Sequence, residues 1–143
     1  MMNRNVHSSL RRVAFLTLLI SGCAPRIAPY SERAYENATR LKAEALVLMD
    51  RATTSYRLRE PEIQQLSVRV QAAYEYANGL PNNQLSAEQW RMLIAPDELF
   101  LGGYFALWQR QDTLMQGDID AAKTNVRKAF DEIIRLEAAK IRK

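Results

Sequence analysis

The sequence predicts an all-α fold, most simply an up-down four-helix bundle. Three observations lead there. Apolar residues recur three and four positions apart along most of residues 31–143. No segment of any length alternates with the two-residue period of a strand. Proline, glycine and asparagine gather between the periodic segments, where turns belong.

Each element follows from its own pattern. Ser31 suits the N-cap of a first helix, with Glu32 in the first turn. Ala34, Ala38, Leu41, Ala45, Leu48, Ala52 and Ser55 form a stripe that carries this helix to about Leu58, widened by Val47, Met49 and Tyr56. Arg33, Glu36, Arg40, Glu44 and Arg51 occupy the other faces at ion-pair spacings. Pro61 fits the first turn of a second helix, whose stripe is Ile63, Leu66, Val70, Ala73, Ala77 and Leu80. Gly79 reads as its C′ residue, and Pro81-Asn82-Asn83 as the turn, with Tyr74 and Tyr76 beside it.

Ser86-Ala87-Glu88-Gln89 reads as a capping box for the third helix, flanked by a Leu85–Trp90 hydrophobic staple. Pro96 ends or kinks that helix near Ile94, so it counts as one helix or two. The apolar run Leu99 to Trp108 then continues helically to about Gln116. Gly102 and Gly103 inside it each cost about 1 kcal/mol relative to alanine, which calls for a close helix contact or a kink. Gly117-Asp118 opens the last helix, with a stripe of Ile119, Ala122, Val126, Ala129, Ile133 and Leu136. Arg135, Lys140, Arg142 and Lys143 collect at its C-terminal end, and Asp131, Glu132 and Glu137 read as surface ion-pair partners. The expected core contains Leu48, Leu66, Val70, Leu107 and Ile133.

The N-terminus has a different character. Residues 1–12 carry Arg4, Arg11 and Arg12 without one acidic residue, and the mostly apolar run Val13–Ile20 follows. A basic region, a short apolar core and small residues are the pattern of an export signal. Those eight apolar residues span only roughly 12 Å as a helix, against a hydrocarbon core of about 30 Å. Residues 1–22 therefore read as a signal peptide.

Ile20-Ser21-Gly22-Cys23 resembles the lipobox of bacterial lipoproteins, which signal peptidase II cuts before the cysteine. Cys23 is the sole cysteine of the chain. The resemblance implies diacylglyceryl on the Cys23 sulfur, usually a third acyl chain such as palmitate on its amine, and hence stable membrane attachment. Ala24 rather than Asp after the cysteine implies, by the family's sorting rule, the inner leaflet of the outer membrane, facing the periplasm. On this division residues 23–30 are the lipidated cysteine and its tether, and residues 31–143 the helical domain.

Composition narrows function further. Without residues 1–22 the chain keeps 17 basic residues against 16 acidic ones, a net charge of +1 rather than +4, so the high pI gives no argument for nucleic acid. Its only histidine, His7, leaves with the signal. That excludes a Ser-His-Asp triad, a Cys-His pair and the usual imidazole and thiolate metal sites, so no cofactor or metal is expected. Asp112, Asp118, Asp120, Asp131 and Glu132 match no calcium loop and read as caps and solvated charges.

The chain as a whole is similar to small helical lipoproteins of bacterial envelopes. A tethered compact bundle without catalytic groups acts by binding, so the expected role is a non-catalytic interaction module, an adaptor or pilotin-like partner of an envelope assembly. Trp90, Gly102, Gly103, Tyr104 and Trp108 are the candidate partner-binding residues, since tryptophan and tyrosine are enriched at binding hot spots and small residues permit close approach. An alternative is a carrier or sensor of a small apolar ligand in the bundle core, lined by Trp90, Trp108, Tyr104 and Phe105. A third is a carboxylate-dependent cell-wall hydrolase using Glu88, Asp97 or Glu98.

Overall fold

The computed structural model describes residues 27–142. The expected signal peptide 1–22 and Cys23 lie outside the described residues. Those described form an all-helical bundle of five α-helices, with no strand among them. The helices are α1 (Glu32–Met49), α2 (Tyr56–Gly79), α3 (Gln84–Ile94), α4 (Leu101–Gln111) and α5 (Gln116–Ala139). No described helix is long and apolar enough to cross a membrane.

Local chemistry accounts for two boundaries, at Ser31 and before Pro96, and tertiary partners move several others. Ser31 caps α1 as expected, its Oγ accepting from the Ala34 N–H at 3.2 Å. The first helix stops short of Leu58, however. Asp50–Thr53 tighten into a 3₁₀ turn that keeps Ala52 buried, and Thr54 is extended. The next helix can begin as early as Tyr56 because another part of the chain meets its start. Tyr56 N–H donates to the Asp112 carbonyl at 2.7 Å, and Ser55 Oγ to Asp112 Oδ1 at 2.8 Å. Pro61 consequently sits in the second turn of α2, not the first.

Gly79 is the last residue of α2 and has no positive φ; Asn82, at φ 59°, makes the left-handed step of the turn. The third helix starts at Gln84, so Ser86 is not its cap, and Leu85 is 70% exposed, so no staple joins it to Trp90. Pro96 does terminate α3 after Ile94. Residues 95–100 are non-helical, and the apolar run resumes separately as α4. It ends at Gln111 rather than Gln116 because Asp112 turns to φ 65°. The last helix opens at Gln116, ahead of Gly117-Asp118, and Asp118 lies in its first turn.

The pairings set the directions. α1 runs antiparallel to α5, with Lys42 on Asp131 and Lys123 on Asp50. It also runs antiparallel to α2, through Arg69–Glu44 and Arg51–Glu62, each at 2.7 Å. α3 packs on α2 and α5, and Trp90 meets Phe130 edge-on with centroids 5.9 Å apart. Leu48, Leu66, Val70 and Ile133 are buried as expected, while Leu107 is half-buried against the core. α4 crosses the turn after α1. Tyr104 Oη donates to the Met49 carbonyl at 2.8 Å, and Trp108 Nε1 lies 3.1 Å from the carbonyls of Thr54 and Asp112.

One group sits against expectation. Glu137 is not a surface residue: it is 0% exposed, and Lys140 only 8%. Lys140 Nζ lies 2.7 Å from both Glu137 oxygens, 2.5 Å from Asn83 Oδ1 and 3.2 Å from Ser86 Oγ. Asn83 Nδ2 in turn donates to the Ala77 carbonyl at 2.8 Å. The neighbouring Asn82 carbonyl accepts from Ala28 N–H at 3.1 Å, and Ala28 is buried. The expected tether is therefore not free as far as Tyr30; from Ala28 onward it belongs to the packed body. Burial follows because the start of α3 covers this face of α5, and the charges are tolerable only because each has a partner.

Replacing one member of the pair should expose that dependence. Lys140→Met leaves a buried carboxylate without a counter-charge and should cost about 3–5 kcal/mol in urea unfolding. Lys140→Met combined with Glu137→Leu should recover most of the loss. A double variant no more stable than the single one would show that the two charges are not coupled.

Candidate interaction surface

A concavity with an apolar floor lies between α1 and α2. Ala43, Val47, Leu48 and Leu66 line a cleft of about 430 Å³. Its frame follows from helix geometry. Glu44 on α1 precedes Arg51 in the following 3₁₀ turn by seven residues, and Glu62 precedes Arg69 by two turns on α2, the same acid-then-base order, which an antiparallel neighbour makes complementary. Glu44 therefore meets Arg69 at one end and Arg51 meets Glu62 at the other, roughly 10 Å apart at 1.5 Å per residue. Val47, 59% exposed, stands between the two bridges.

Glu62 also takes a bond from Arg59 Nη1 at 2.9 Å. That bond first, then the nearby Arg51 charge, holds its carboxyl below the usual range. Exposed ion pairs contribute little to stability, so these bridges can open or exchange partners at low cost. An apolar window between two labile ion pairs suits the reception of an apolar side chain with polar or charged flanks. Sequence reading paired these charges along their own helix; the structure pairs them mainly across helices. Val47, expected to widen the buried stripe of the first helix, is instead turned to solvent.

The residues singled out for recognition lie elsewhere, in the core. Trp90, Tyr104 and Trp108 are 1%, 3% and 0% exposed. Tyr104 and Trp108 come together with ring centroids 6.2 Å apart, whereas Trp90 joins Phe130 on another side. Burial, with the Asp50 charge second, pushes the Tyr104 phenol well above its ordinary value, consistent with its role as a neutral donor.

Gly102 and Gly103 are half-buried against their own chain. A Cβ on Gly102 would stand 2.2 Å from the Ile94 carbonyl oxygen, and one on Gly103 1.8 Å from that of Glu98. The glycines let the start of α4 lie directly on the end of α3 and its link, the close contact that their cost in a helix demanded. The hollow beside Gly102, lined by Val70, Ile94, Leu101 and Phe105, measures about 130 Å³. That is below the roughly 300 Å³ of the smallest usual ligand pockets.

The remaining candidates are engaged or solvated. Arg91 grips Glu88 with two bonds of 2.6 and 2.9 Å, and this bonding holds the Glu88 carboxyl below its usual range. A general acid needs the opposite shift. Asp97 is exposed and Glu98 half-buried in the link between α3 and α4. Among the described residues no group of three His, Cys, Asp or Glu side chains could hold a metal. Near the C-terminal end of α2, Tyr76 Oη meets Ser31 Oγ at 2.9 Å beneath the Arg33 guanidinium, 5.1 Å from the ring centroid.

No family model matches the chain, and no curated protein or solved structure shows significant similarity to it.

The glycines provide a matched comparison. Gly103→Ala forces a methyl group into backbone and should destabilise the fold by about 1–3 kcal/mol in thermal or urea unfolding. At Gly79 an added Cβ meets nothing within 4 Å and φ is not positive, so Gly79→Ala should be neutral or stabilising by up to about 1 kcal/mol. Equal effects at the two sites would contradict the close contact.

Proposed function

We propose that the protein is a lipid-anchored envelope lipoprotein whose helical domain is a non-catalytic interaction module, an adaptor or pilotin-like component of an envelope assembly. The observation that carries this reading is Ile20-Ser21-Gly22-Cys23, with the chain's sole cysteine directly after a basic and then apolar leader. The domain reads as an up-down four-helix bundle whose third helix is divided into α3 and α4, a rigid body suited to presenting a surface. Its location on this reading is the inner leaflet of the outer membrane, with the domain in the periplasm. The partner is another envelope protein rather than nucleic acid. The cleft around Val47 supports the binding part, since it offers apolar area outside the core within a charged rim.

Cys23→Ser should abolish incorporation of labelled palmitate and leave the export signal uncleaved at that site. A variant that still ran as a lipid-labelled species of mature size would refute the anchor. For the cleft, a photo-crosslinking residue replacing Val47 should yield a discrete protein adduct in intact envelopes. The same residue replacing Val68, which is 69% exposed on α2 and does not line the cleft, should not. Identical adducts from both positions would remove the cleft as the docking site.

A further inference from the structure

The bundle has two chemically different ends, and the difference bears on how the molecule sits at a membrane. Four contacts define one end: Ala28 on Asn82, Ser31 on Tyr76, and Lys140 on both Asn83 and Ser86. Four side chains there are both apolar and exposed: Ile27 at 44%, Tyr30 at 39%, Leu85 at 70% and Ile141 at 61%. No charged residue occurs in residues 27–31 or 77–87. The carboxylate of Glu137 is buried on Lys140, and the acidic Glu32 and Glu75 stand at the margin of this end. Arg142 and Lys143 follow Ile141 in the sequence. The opposite end carries exposed charges of both signs, Asp112, Asp118 and Asp120 together with Arg51, Arg57 and Arg110, which keep it hydrated.

The chain between the lipid and this end is short. From Cys23 to Ala28, where the backbone is pinned to Asn82, there are five Cα steps, at most roughly 18 Å. That is about half the length of α5, whose 24 residues span roughly 36 Å.

We propose that this end is a membrane-seating face. Resting on the lipoprotein reading above, the inference is that Ile27, Tyr30, Leu85 and Ile141 enter the headgroup region of the leaflet that holds the Cys23 acyl chains, and that the bundle stands end-on. Isolated apolar side chains on soluble proteins are common, but a lipid surface explains four of them around the pinned start of the chain, three of them in segments without a charge. Tyrosine suits that depth, its ring in the apolar margin and its hydroxyl in water. The charged end and the cleft between α1 and α2 then remain in solution.

The test uses the full chain, processed and acylated in cells. Acylation leaves the parent protein without a free thiol, so Leu85→Cys, Ile141→Cys, Leu58→Cys and Met115→Cys each introduce a unique site for a polarity-sensitive fluorophore. All four native residues are exposed, so the fold should survive. Each labelled protein is reconstituted into phosphatidylethanolamine–phosphatidylglycerol vesicles, with and without brominated acyl chains. Probes at 85 and 141 should shift to the blue and lose emission to the brominated lipid, while those at 58 and 115 should keep aqueous spectra. Aqueous spectra at all four positions on vesicle-bound protein would overturn the seating face and leave the anchor intact. Quenching at all four would overturn the end-on orientation. Labelling of the parent chain itself would show Cys23 free, and the anchor reading would fall together with this inference.

Discussion

The ammonium of Lys140 is the point at which three distant parts of the chain meet. It closes α5 onto the start of α3 through Ser86 and onto the turn after α2 through Asn83. That turn in turn receives the backbone of Ala28. The arrangement has a simple physical origin. A cation taken out of water needs a counter-charge, and a carboxylate buried beside it has further lone pairs to satisfy. Glu137 supplies the first requirement, Asn83 and Ser86 complete the shell, and no fully buried side-chain polar atom among the described residues is left without a partner. An apolar pair could replace the charges, but it would not select one arrangement of turn, helix start and helix end with the same directional demand.

The opposite end is closed by different means. There Asp112 acts through its backbone and side chain together, receiving Tyr56 N–H, Ser55 Oγ and the Trp108 indole. Leu114 N–H adds a bond to the Ala52 carbonyl at 2.8 Å. Neutral groups and one exposed carboxylate perform the joining, so this end closes without a buried charge. Glu44–Arg69 and Arg51–Glu62, between the two closures, bridge α1 and α2 along a face that the core leaves in water. The molecule thus separates its requirements: directional polar closure at both ends, apolar packing in the middle, and exchangeable charge around the cleft.

The stripes of α1, α2 and α5 were legible because burial on one face of a helix imposes a period that survives in the residue types. Pro96 was legible because it restricts its own chain. The starts of α2 and α3 were not, since Ser86 has the sequence of a cap yet is drawn inward by Lys140, and Tyr56 begins a helix because Asp112 is there to accept its N–H. Glu132–Arg135 and Glu137–Lys140 have the same spacing of opposite charges, one pair exposed and the other buried. Only the covering helix distinguishes them. The cleft was illegible for a related reason: its ion pairs depend on the register between α1 and α2, which neither helix encodes alone. The tryptophans and glycines stood out in the sequence because large and very small residues are both costly to place, but the geometry they satisfy is internal.

The contacts of α1 with α5 also discriminate against other registers. In the observed alignment Lys42 faces Asp131 and Asp50 faces Lys123. Sliding α5 by one helical turn would bring Lys42 opposite Arg127 in one direction and opposite Arg135 in the other. In the first case Asp50 would also lose its lysine and meet the apolar Ile119. The alanine-rich seam between these helices is smooth enough to tolerate such slips sterically, so repulsion must reject what packing alone would accept. The same pattern disfavours an exchanged dimer in which α5 of one molecule pairs out of step with α1 of another.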